Sequence, residues 1–251
     1  MPVLVKRLKA GVNTLLSPLG FRLVSSLVHP WEPTLAAGLA RLAARNLPLR
    51  TLIDVGAADG AWTRRALAAL PSLQHQLLIE PQSAHRDALA IFQRDFPRAQ
   101  LAHSVAGPAC GKVSFHAQSP WDGVASAAGE QGTAWVRLPQ TTLDHEVATR
   151  GLPGPFVIKL DVHGYERAIL RGARSTLVQT QALIIECYNV SLGGESLRFP
   201  EFCQHMESLG FRCADLWDPL YLGRQNTLWQ FDLLFLRSDV VAASDRTALP
   251  A

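Results

Sequence analysis

Short apolar runs and amphipathic segments take turns along most of the chain. The apolar runs predict buried strands at residues 51–55, 76–80, 99–105, 156–162 and 182–188. The amphipathic segments predict helices at residues 34–45, 61–70, 83–95, 165–177 and 199–209. Strands that alternate with helices form a parallel sheet with helices on both faces. The pattern therefore predicts an α/β fold.

Two strands near the end of the chain have no helix between them. They are predicted at residues 211–217 and 229–237, and their connection at 218–228 contains Gly, Pro and Asn. We expect these strands to pair antiparallel toward one edge of the sheet.

The segment 106–155 departs most from the regular pattern. Short strands are predicted at 113–117 and 135–138, before a helix near Asp144. We predict an insert on the substrate side at this point, within a core domain that spans residues 49–238.

Both ends of the chain lie outside this predicted domain. Residues 1–48 are expected to form a helical extension, and residues 239–251 a flexible tail. Near the start of the chain, leucines at helical spacing lie beside Lys6, Arg7 and Lys9. The simpler interpretation is a helix packed on the domain. The alternative is a basic amphipathic helix that rests on a membrane surface or covers the active site.

The composition of the chain limits the kinds of partner and the cellular location that we expect. The formal net charge of +3 is too small to indicate a nucleic-acid partner. No apolar run reaches the roughly 18–20 residues that span a bilayer, and no secretory signal is expected. The four cysteines never form Cys-x-x-Cys, which argues against a structural zinc site and fits a reducing compartment. We therefore expect a cytoplasmic protein without a transmembrane segment.

The first predicted strand runs into a turn of small residues. Gly56 and Gly60 permit positive φ and leave the backbone bare for a ligand, and the helix that follows offers free N–H groups. Glu80 ends the second strand about twenty residues later, where a carboxylate can accept hydrogen bonds from both hydroxyls of a ribose. This combination predicts a site for a nucleotide-like ligand.

The acids beside this turn favour a ligand without phosphate. Ala58 and Ala61 stand where the dinucleotide pattern has its second and third glycines, and no NTPase phosphate-binding loop occurs. Asp54 and Asp59 would repel a pyrophosphate but suit the sulfonium and ammonium groups of S-adenosylmethionine. In the structural alternative, Asp54 pairs with a local backbone donor and Asp59 caps the helix that starts at Gly60 or Ala61. Trp62 either stacks near the ligand or packs in the core.

Four segments resemble the FkbM family of S-adenosylmethionine-dependent methyltransferases. The most specific is the Lys-Leu-Asp-Val-His-Gly-Tyr-Glu block at residues 159–166. The others are Ile53-Asp54-Val55-Gly56-Ala57, Ile79-Glu80-Pro81 and Leu228-Trp229-Gln230-Phe231-Asp232-Leu233-Leu234-Phe235. The likeness spans residues 51–237. His163 departs from the Glu that is common at this position in such proteins.

This resemblance implies a class I methyltransferase fold, a mostly parallel sheet of seven strands with an antiparallel C-terminal strand pair. It also implies S-adenosylmethionine as methyl donor and a hydroxyl acceptor on a sugar, glycan or secondary metabolite. By position, the methionine part is assigned to Asp54, Gly56, Ala57 and Gly60, the ribose to Glu80, and the adenine to Ser104 and Val105. The remaining candidates for donor binding are Asp59, Trp62 and Pro81.

The catalytic candidates follow the fourth predicted strand. In an open α/β sheet, ligands lie beyond the carboxyl ends of the strands, and Asp161 and His163 are expected there. We predict that one of them takes the proton of the acceptor hydroxyl and that Lys159 orients nearby groups. In the structural alternative, Asp161 and Glu166 cap the next helix and Lys159 pairs with a buried acid.

A metal ion is the weaker hypothesis. Glu186, at the end of the fifth strand, could join Asp161 and His163 around a divalent ion or pair with Lys159. Because the sequence does not fix the geometry of these side chains, no metal is predicted. Two other functions compete with methyl transfer. A nicotinamide-dependent oxidoreductase is disfavoured by the missing glycines, and a non-catalytic donor-binding module by the intact Asp161 region.

Overall fold

The computed structural model describes residues 31–126 and 135–241. The basic helix expected near the start of the chain and residues 242–251 of the expected tail lie outside this range. The described part contains a large sheet, a smaller second sheet and seven α-helices.

The helices and strands follow one another closely in the chain. The helices are α1 Leu35–Ala44, α2 Ala61–Ala69, α3 Arg86–Asp95, α4 Leu143–Arg150, α5 Glu166–Arg171, α6 Arg174–Val178 and α7 Phe199–Ser208. The strands are β1 Thr51–Val55, β2 His75–Ile79, β3 Ala99–Ala102, β4 Val105–Ala106, β5 Gly111–His116, β6 Val124–Ser126, β7 Val136–Thr141, β8 Phe156–Leu160, β9 Thr180–Tyr188, β10 Phe211–Leu222 and β11 Thr227–Arg237.

The large sheet has the seven strands that the resemblance implies. Their spatial order is β10-β11-β9-β8-β1-β2-β3. The five strands from β9 to β3 run parallel, whereas β11 is antiparallel to both β9 and β10. The mostly parallel sheet and the antiparallel pair at its edge are therefore confirmed. Parallel strands need long crossovers, and α2, α3 and α5–α6 provide them.

Apolar side chains on the two faces of the sheet build two main core clusters. All five residues of β1 are buried, because helices cover both faces. Ile53 and Val55 face the cluster that α5 and α7 complete. Leu52 faces the cluster that α1 and α2 complete. Helix α1, in the predicted N-terminal extension, thus packs directly on the sheet.

The second sheet corrects the predicted strand at residues 99–105. The pairing of β2 with β3 ends at Ala102, and Val105 begins the separate strand β4, which pairs with β7. The four strands of the second sheet have the order β4-β7-β5-β6 and occupy the predicted insert. The sequence shows apolar character on both sides of the break, but it does not show which partner each half pairs with.

Two further boundaries differ from the prediction. The helix predicted at 165–177 is divided into α5 and α6 at Gly172, which packs closely against the backbone of Gly107. The connection predicted at 218–228 is mostly strand, because the β10–β11 hairpin continues to a turn at residues 223–226. No helix in the described ranges is long and apolar enough to cross a membrane.

Candidate active site

A cavity lies at the carboxyl ends of the parallel strands. We call it the strand-end cavity. Gly56, Glu80 and Asp161, which follow β1, β2 and β8, line its side toward the large sheet. Phe115 and Gly123 line the side toward the second sheet. This is where an open α/β sheet binds its ligands.

The turn after β1 brings bare backbone to the cavity wall. Gly56 has a φ of 76°, and a Cβ atom there would lie 2.0 Å from the carbonyl oxygen of Asp161. A side chain at this position would therefore force the turn away from the end of β8. Ala58, two residues later, donates its N–H to Glu80 Oε2 at 3.0 Å.

Glu80 is held in one orientation at the end of β2. Its Oε2 accepts the Ala58 N–H, and its Oε1 accepts the Gln82 N–H at 2.8 Å. The residue is only 4% exposed. Burial raises the pKa of Glu80, although the two backbone N–H groups oppose the shift. Each oxygen keeps a second lone pair, so the carboxylate can accept hydrogen bonds from a diol in the cavity.

The ten predicted donor-binding residues divide into two groups. The residues that line the strand-end cavity are Gly56, Glu80, Pro81, Ser104 and Val105. The residues that lie outside its wall are Asp54, Ala57, Asp59, Gly60 and Trp62.

In the second group, Asp59 and Trp62 lie as the structural alternatives describe, whereas the partner of Asp54 is a side chain and not a backbone donor. Asp54 is fully buried, and its Oδ2 accepts a hydrogen bond from Thr63 Oγ1 at 2.5 Å. Asp59 Oδ1 accepts the Ala61 N–H at 2.9 Å, as a helix cap does. Gly60 abuts the ring of Phe92. Trp62 packs against the core cluster on the α1 side of the sheet.

Several residues of the cavity wall were not predicted. They include Gln82, Phe115, Pro120, Trp121, Gly123, Ala125 and Tyr165. Trp121 is 63% exposed, an unusual state for so large an apolar side chain. Its large aromatic side chain was the feature of the sequence that could have indicated a role in the site. Gln82 and Tyr165 follow strands of the large sheet, whereas Phe115, Pro120, Gly123 and Ala125 reach the cavity through the folding of the second sheet.

Lys159 lies behind the cavity wall, among carboxylates. Its Nζ donates to Asp161 Oδ2 at 2.8 Å and is 4.0 Å from Asp54 Oδ1. Burial acts to lower the pKa of Lys159, but Asp161 and Asp54 more than offset this and raise it. Burial acts to raise the pKa of Asp161, yet the charge and hydrogen bond of Lys159 hold it below its usual range. Both groups are therefore charged at neutral pH.

The structure brings Asp161, His163 and Glu186 together at one end of the strand-end cavity. His163 Nε2 is 3.7 Å from Asp161 Oδ1 and 3.7 Å from Glu186 Oε2. The sequence allowed a pair between Glu186 and the Lys159 amine, but the hydrogen bonds of Glu186 go to other residues. It accepts hydrogen bonds from the Tyr188 hydroxyl and, at 2.7 Å, from Gln230 Nε2. Burial and the nearby charge of Asp161 raise the pKa of Glu186 to about 8.

A groove adjoins the cavity beyond His163. His163, Tyr165 and Ala125 line both spaces, and the groove continues past Trp135 to the loop at residues 192–195. A molecule in the groove can therefore approach a molecule in the cavity from the side of Asp161 and His163.

The sequence matches the profile of a known protein family. The profile of the methyltransferase FkbM domain matches residues 54–213. A search of curated protein sequences finds no match. Among solved structures, the methyltransferase FkbM from Methylobacillus flagellatus KT aligns with a TM-score of 0.50 at 16% identity. The alignment covers 75% of this chain and 44% of that protein, so the chain spans less than half of its length.

Two other solved structures align less closely. An rRNA methylase from Streptococcus thermophilus has a TM-score of 0.44 at 13% identity, with 85% of this chain and 99% of that chain covered. An O-methyltransferase family protein from Burkholderia thailandensis has a TM-score of 0.42 at 12% identity, with 92% and 58% covered.

Proposed function

Because the chain belongs to the FkbM methyltransferase family, whose methyl donor is S-adenosylmethionine, we propose that it methylates a hydroxyl of a sugar, glycan or secondary metabolite. The observation that carries this proposal is the position of Asp161 and His163. Both line the same cavity as the buried carboxylate of Glu80. One space therefore combines a ribose acceptor with two groups able to handle the proton of a hydroxyl.

The cavity fits the donor in three respects. Glu80 offers two fixed carboxylate oxygens for the ribose hydroxyls. The bare backbone at Gly56 lets the methionine part lie against the turn, while Ala57 and Gly60 shape that turn from outside the wall. Ser104 and Val105 line the region assigned to the adenine. When bound, S-adenosylmethionine supplies a methyl group activated by its positively charged sulfur.

The carboxyl groups near Lys159 suit the positive charge of the donor. Asp54, Asp161 and Asp232 surround the single ammonium of Lys159. Burial raises the pKa of Asp54 and, to about 6, that of Asp232, so Asp161, which lines the cavity, is the acid whose negative charge faces the donor. In this proposal Asp54 supports the methionine end of the donor site from behind the wall, while Asp59 and Trp62 lie beside and within the start of α2.

Asp161 and His163 are the proposed catalytic residues. An alcohol is a weak nucleophile, so a group within reach must accept its proton during attack. His163 borders both the cavity and the groove, which places its ring between the two substrates. Lys159 is a positioning residue, because its hydrogen bond fixes the orientation of the Asp161 carboxylate.

We also propose a cytoplasmic site of action and an acceptor other than nucleic acid. The net charge of +3 gives little attraction to a phosphate backbone. The four cysteines lack the spacing of a metal site, as expected for a reducing compartment.

Incubation with methyl-labelled S-adenosylmethionine and extracts of glycans and small metabolites tests this function. We expect label in a methyl ether of a hydroxyl compound. The Asp161→Asn variant should transfer label at least tenfold more slowly while still binding S-adenosylhomocysteine. Wild-type turnover in this variant would contradict the role of Asp161. Label on RNA, or tight binding of NAD in place of the donor, would contradict the proposed function itself.

A further inference from the structure

Three side chains that can ligate a metal ion converge at the end of the strand-end cavity. They are His163 Nε2, Asp161 Oδ1 and Glu186 Oε2. All three lie within 4.8 Å of one another. Two carboxyl groups and an imidazole are a ligand set that a divalent ion accepts, and an ion at this point would displace the proton through which Glu186 hydrogen-bonds to Asp161.

The imidazole of His163 is oriented by its other nitrogen. His163 Nδ1 is 3.2 Å from the carbonyl oxygen of Gly123. Because a carbonyl oxygen only accepts, Nδ1 carries the hydrogen in this contact. In the neutral ring the lone pair is then on Nε2 and faces the two carboxylates. A ring nitrogen fixed in this way by a backbone carbonyl is typical of histidine that binds a metal ion.

The two carboxylates are held in a similar way. Asp161 uses Oδ2 for Lys159 Nζ, which leaves Oδ1 directed toward His163. Glu186 accepts hydrogen bonds from Tyr188 and Gln230. Each candidate ligand therefore also has a hydrogen-bond partner away from the point where the three side chains meet. Hydrogen bonds of this kind orient the ligands of protein metal sites.

We propose that Asp161, His163 and Glu186 bind one divalent transition-metal ion, such as Mn²⁺ or Zn²⁺. Ligands held by one ion at about 2.0–2.2 Å stand roughly 3–4 Å apart, which agrees with the two distances of 3.7 Å. Ions of this class accept imidazole and carboxylate ligands together. The site is fixed by β8, β9 and the backbone of the second sheet rather than by one loop.

The location of the ion would define the class of acceptor, and this step rests on the proposed function. Asp161 and His163 line the cavity, so an ion between them has coordination positions open toward the acceptor. Such an ion lowers the pKa of a bound hydroxyl. With the ion bound, Asp161 and His163 would hold it instead of taking the proton themselves. The hydroxyl oxygen would form the bond to the methyl carbon as the sulfur–carbon bond breaks, and its proton would pass to solvent. An acceptor with a second oxygen beside the reacting hydroxyl, as in a sugar diol, occupies two positions.

Titration of untagged, chelator-treated protein with MnCl₂ alone and with ZnCl₂ alone tests the site. We expect calorimetry to show one ion bound per chain for at least one of the two metals. His163→Ala and Glu186→Gln should each weaken binding at least tenfold, and Tyr188→Phe about tenfold through loss of an outer contact. The matched controls His145→Ala and Glu207→Gln change exposed residues away from the site and should bind as the wild type does.

Two measurements on the same preparations separate the possible outcomes. Substitution with Co²⁺ should give a visible absorption band that is lost in His163→Ala. No ion binding to the wild type, or binding that survives both ligand substitutions, overturns the inference. If S-adenosylhomocysteine binds while metal does not, the metal inference fails and the methyltransferase proposal stands. Metal binding without affinity for S-adenosylhomocysteine supports the metal site and contradicts the proposed function.

Discussion

Gly56 joins two parts of the candidate site at the level of a single residue. Its Cα lies against the carbonyl oxygen of Asp161, so the turn after β1 and the end of β8 have their positions fixed by one contact. The positive φ of 76° adds a second reason for glycine at this position. The steric reason and the conformational reason can be separated by experiment, because other glycines in the chain have only one of them.

We expect Gly56→Ala to destabilise the fold by more than about 3 kcal/mol, because both costs apply. Gly210→Ala is the matched control. Gly210 has a φ of 85°, but nothing lies within 4 Å of a Cβ atom there, so only the conformational cost of about 1–2 kcal/mol remains. Denaturant unfolding of the two variants measures the difference. Equal losses of stability would show that the approach to Asp161 is not a constraint.

Glu80 makes donor affinity depend on pH. Burial raises the pKa of Glu80 above its value of 4.5 in an exposed chain, so it takes up a proton at a higher pH than a free carboxyl does. The protonated form has lost its charge and one acceptor position for the ribose. We therefore expect affinity for S-adenosylhomocysteine to fall as the pH is lowered toward the raised pKa of Glu80.

Calorimetry can measure this affinity from pH 8 down to the lowest pH at which the protein stays folded. At pH 8, Glu80→Gln should weaken binding by about tenfold to a hundredfold, the usual range for a hydrogen bond to a charged group. The same variant should also show a flatter pH dependence than the wild type. An equally steep fall in both proteins would assign the titration to another group.

At the level of elements, the candidate site shows why some contacts can be predicted and others cannot. Gly56 and Glu80 follow apolar strands, and parallel strands bring their carboxyl ends together whatever the rest of the chain does. Phe115 and Gly123 reach the cavity because β5 and β6 pair across a separate sheet. A strand was predicted near β5, but its neighbour β6, with which it pairs, was not. Asp59 has a local contact as well, since its Oδ1 accepts the Ala61 N–H at the start of α2.

Helix α1 contributes more to the core than its sequence predicted. It was predicted as part of an extension, but Leu35, Leu39 and Leu42 are buried in a core cluster with Trp217. A Cβ atom on Gly38 would lie 2.3 Å from Cε3 of the Trp217 ring. Glycine in a helix interior costs roughly 0.5–1 kcal/mol relative to alanine. Its presence here indicates that close packing outweighs that cost.

We expect Gly38→Leu to lower the thermal unfolding midpoint, although leucine is the better helix former. Overpacking of this kind costs about 1–3 kcal/mol, or several degrees in a chain of this size. Ala40→Leu is the matched control, since Ala40 lies on the exposed side of the same helix and should show little change. Calorimetric scans compare the two. A stabilised Gly38→Leu protein would mean that α1 does not press on Trp217.

At the level of the whole molecule, the strand-end cavity lies between two sheets. The large sheet contributes Gly56 and Glu80, and the second sheet contributes Phe115 and Gly123. A ligand that fills the cavity therefore touches both sheets. Binding to the folded state stabilises it by mass action, and local opening of the loops at the cavity should be suppressed first.

We expect S-adenosylhomocysteine to slow backbone hydrogen exchange in both walls of the cavity. The affected amides should include residues 56–58 and 80–82 after β1 and β2, together with residues 115–125 of the second sheet. Helix α7 borders a separate groove with His205 and Leu209, so its exchange serves as the internal control. Mass spectrometry of peptides from free and ligand-bound protein makes the comparison, with Glu80→Gln as a weakly binding reference. Protection confined to the large sheet would mean that the second sheet does not form a wall of the donor site. Protection of both walls, with α7 unchanged, would show that one ligand holds the two sheets together.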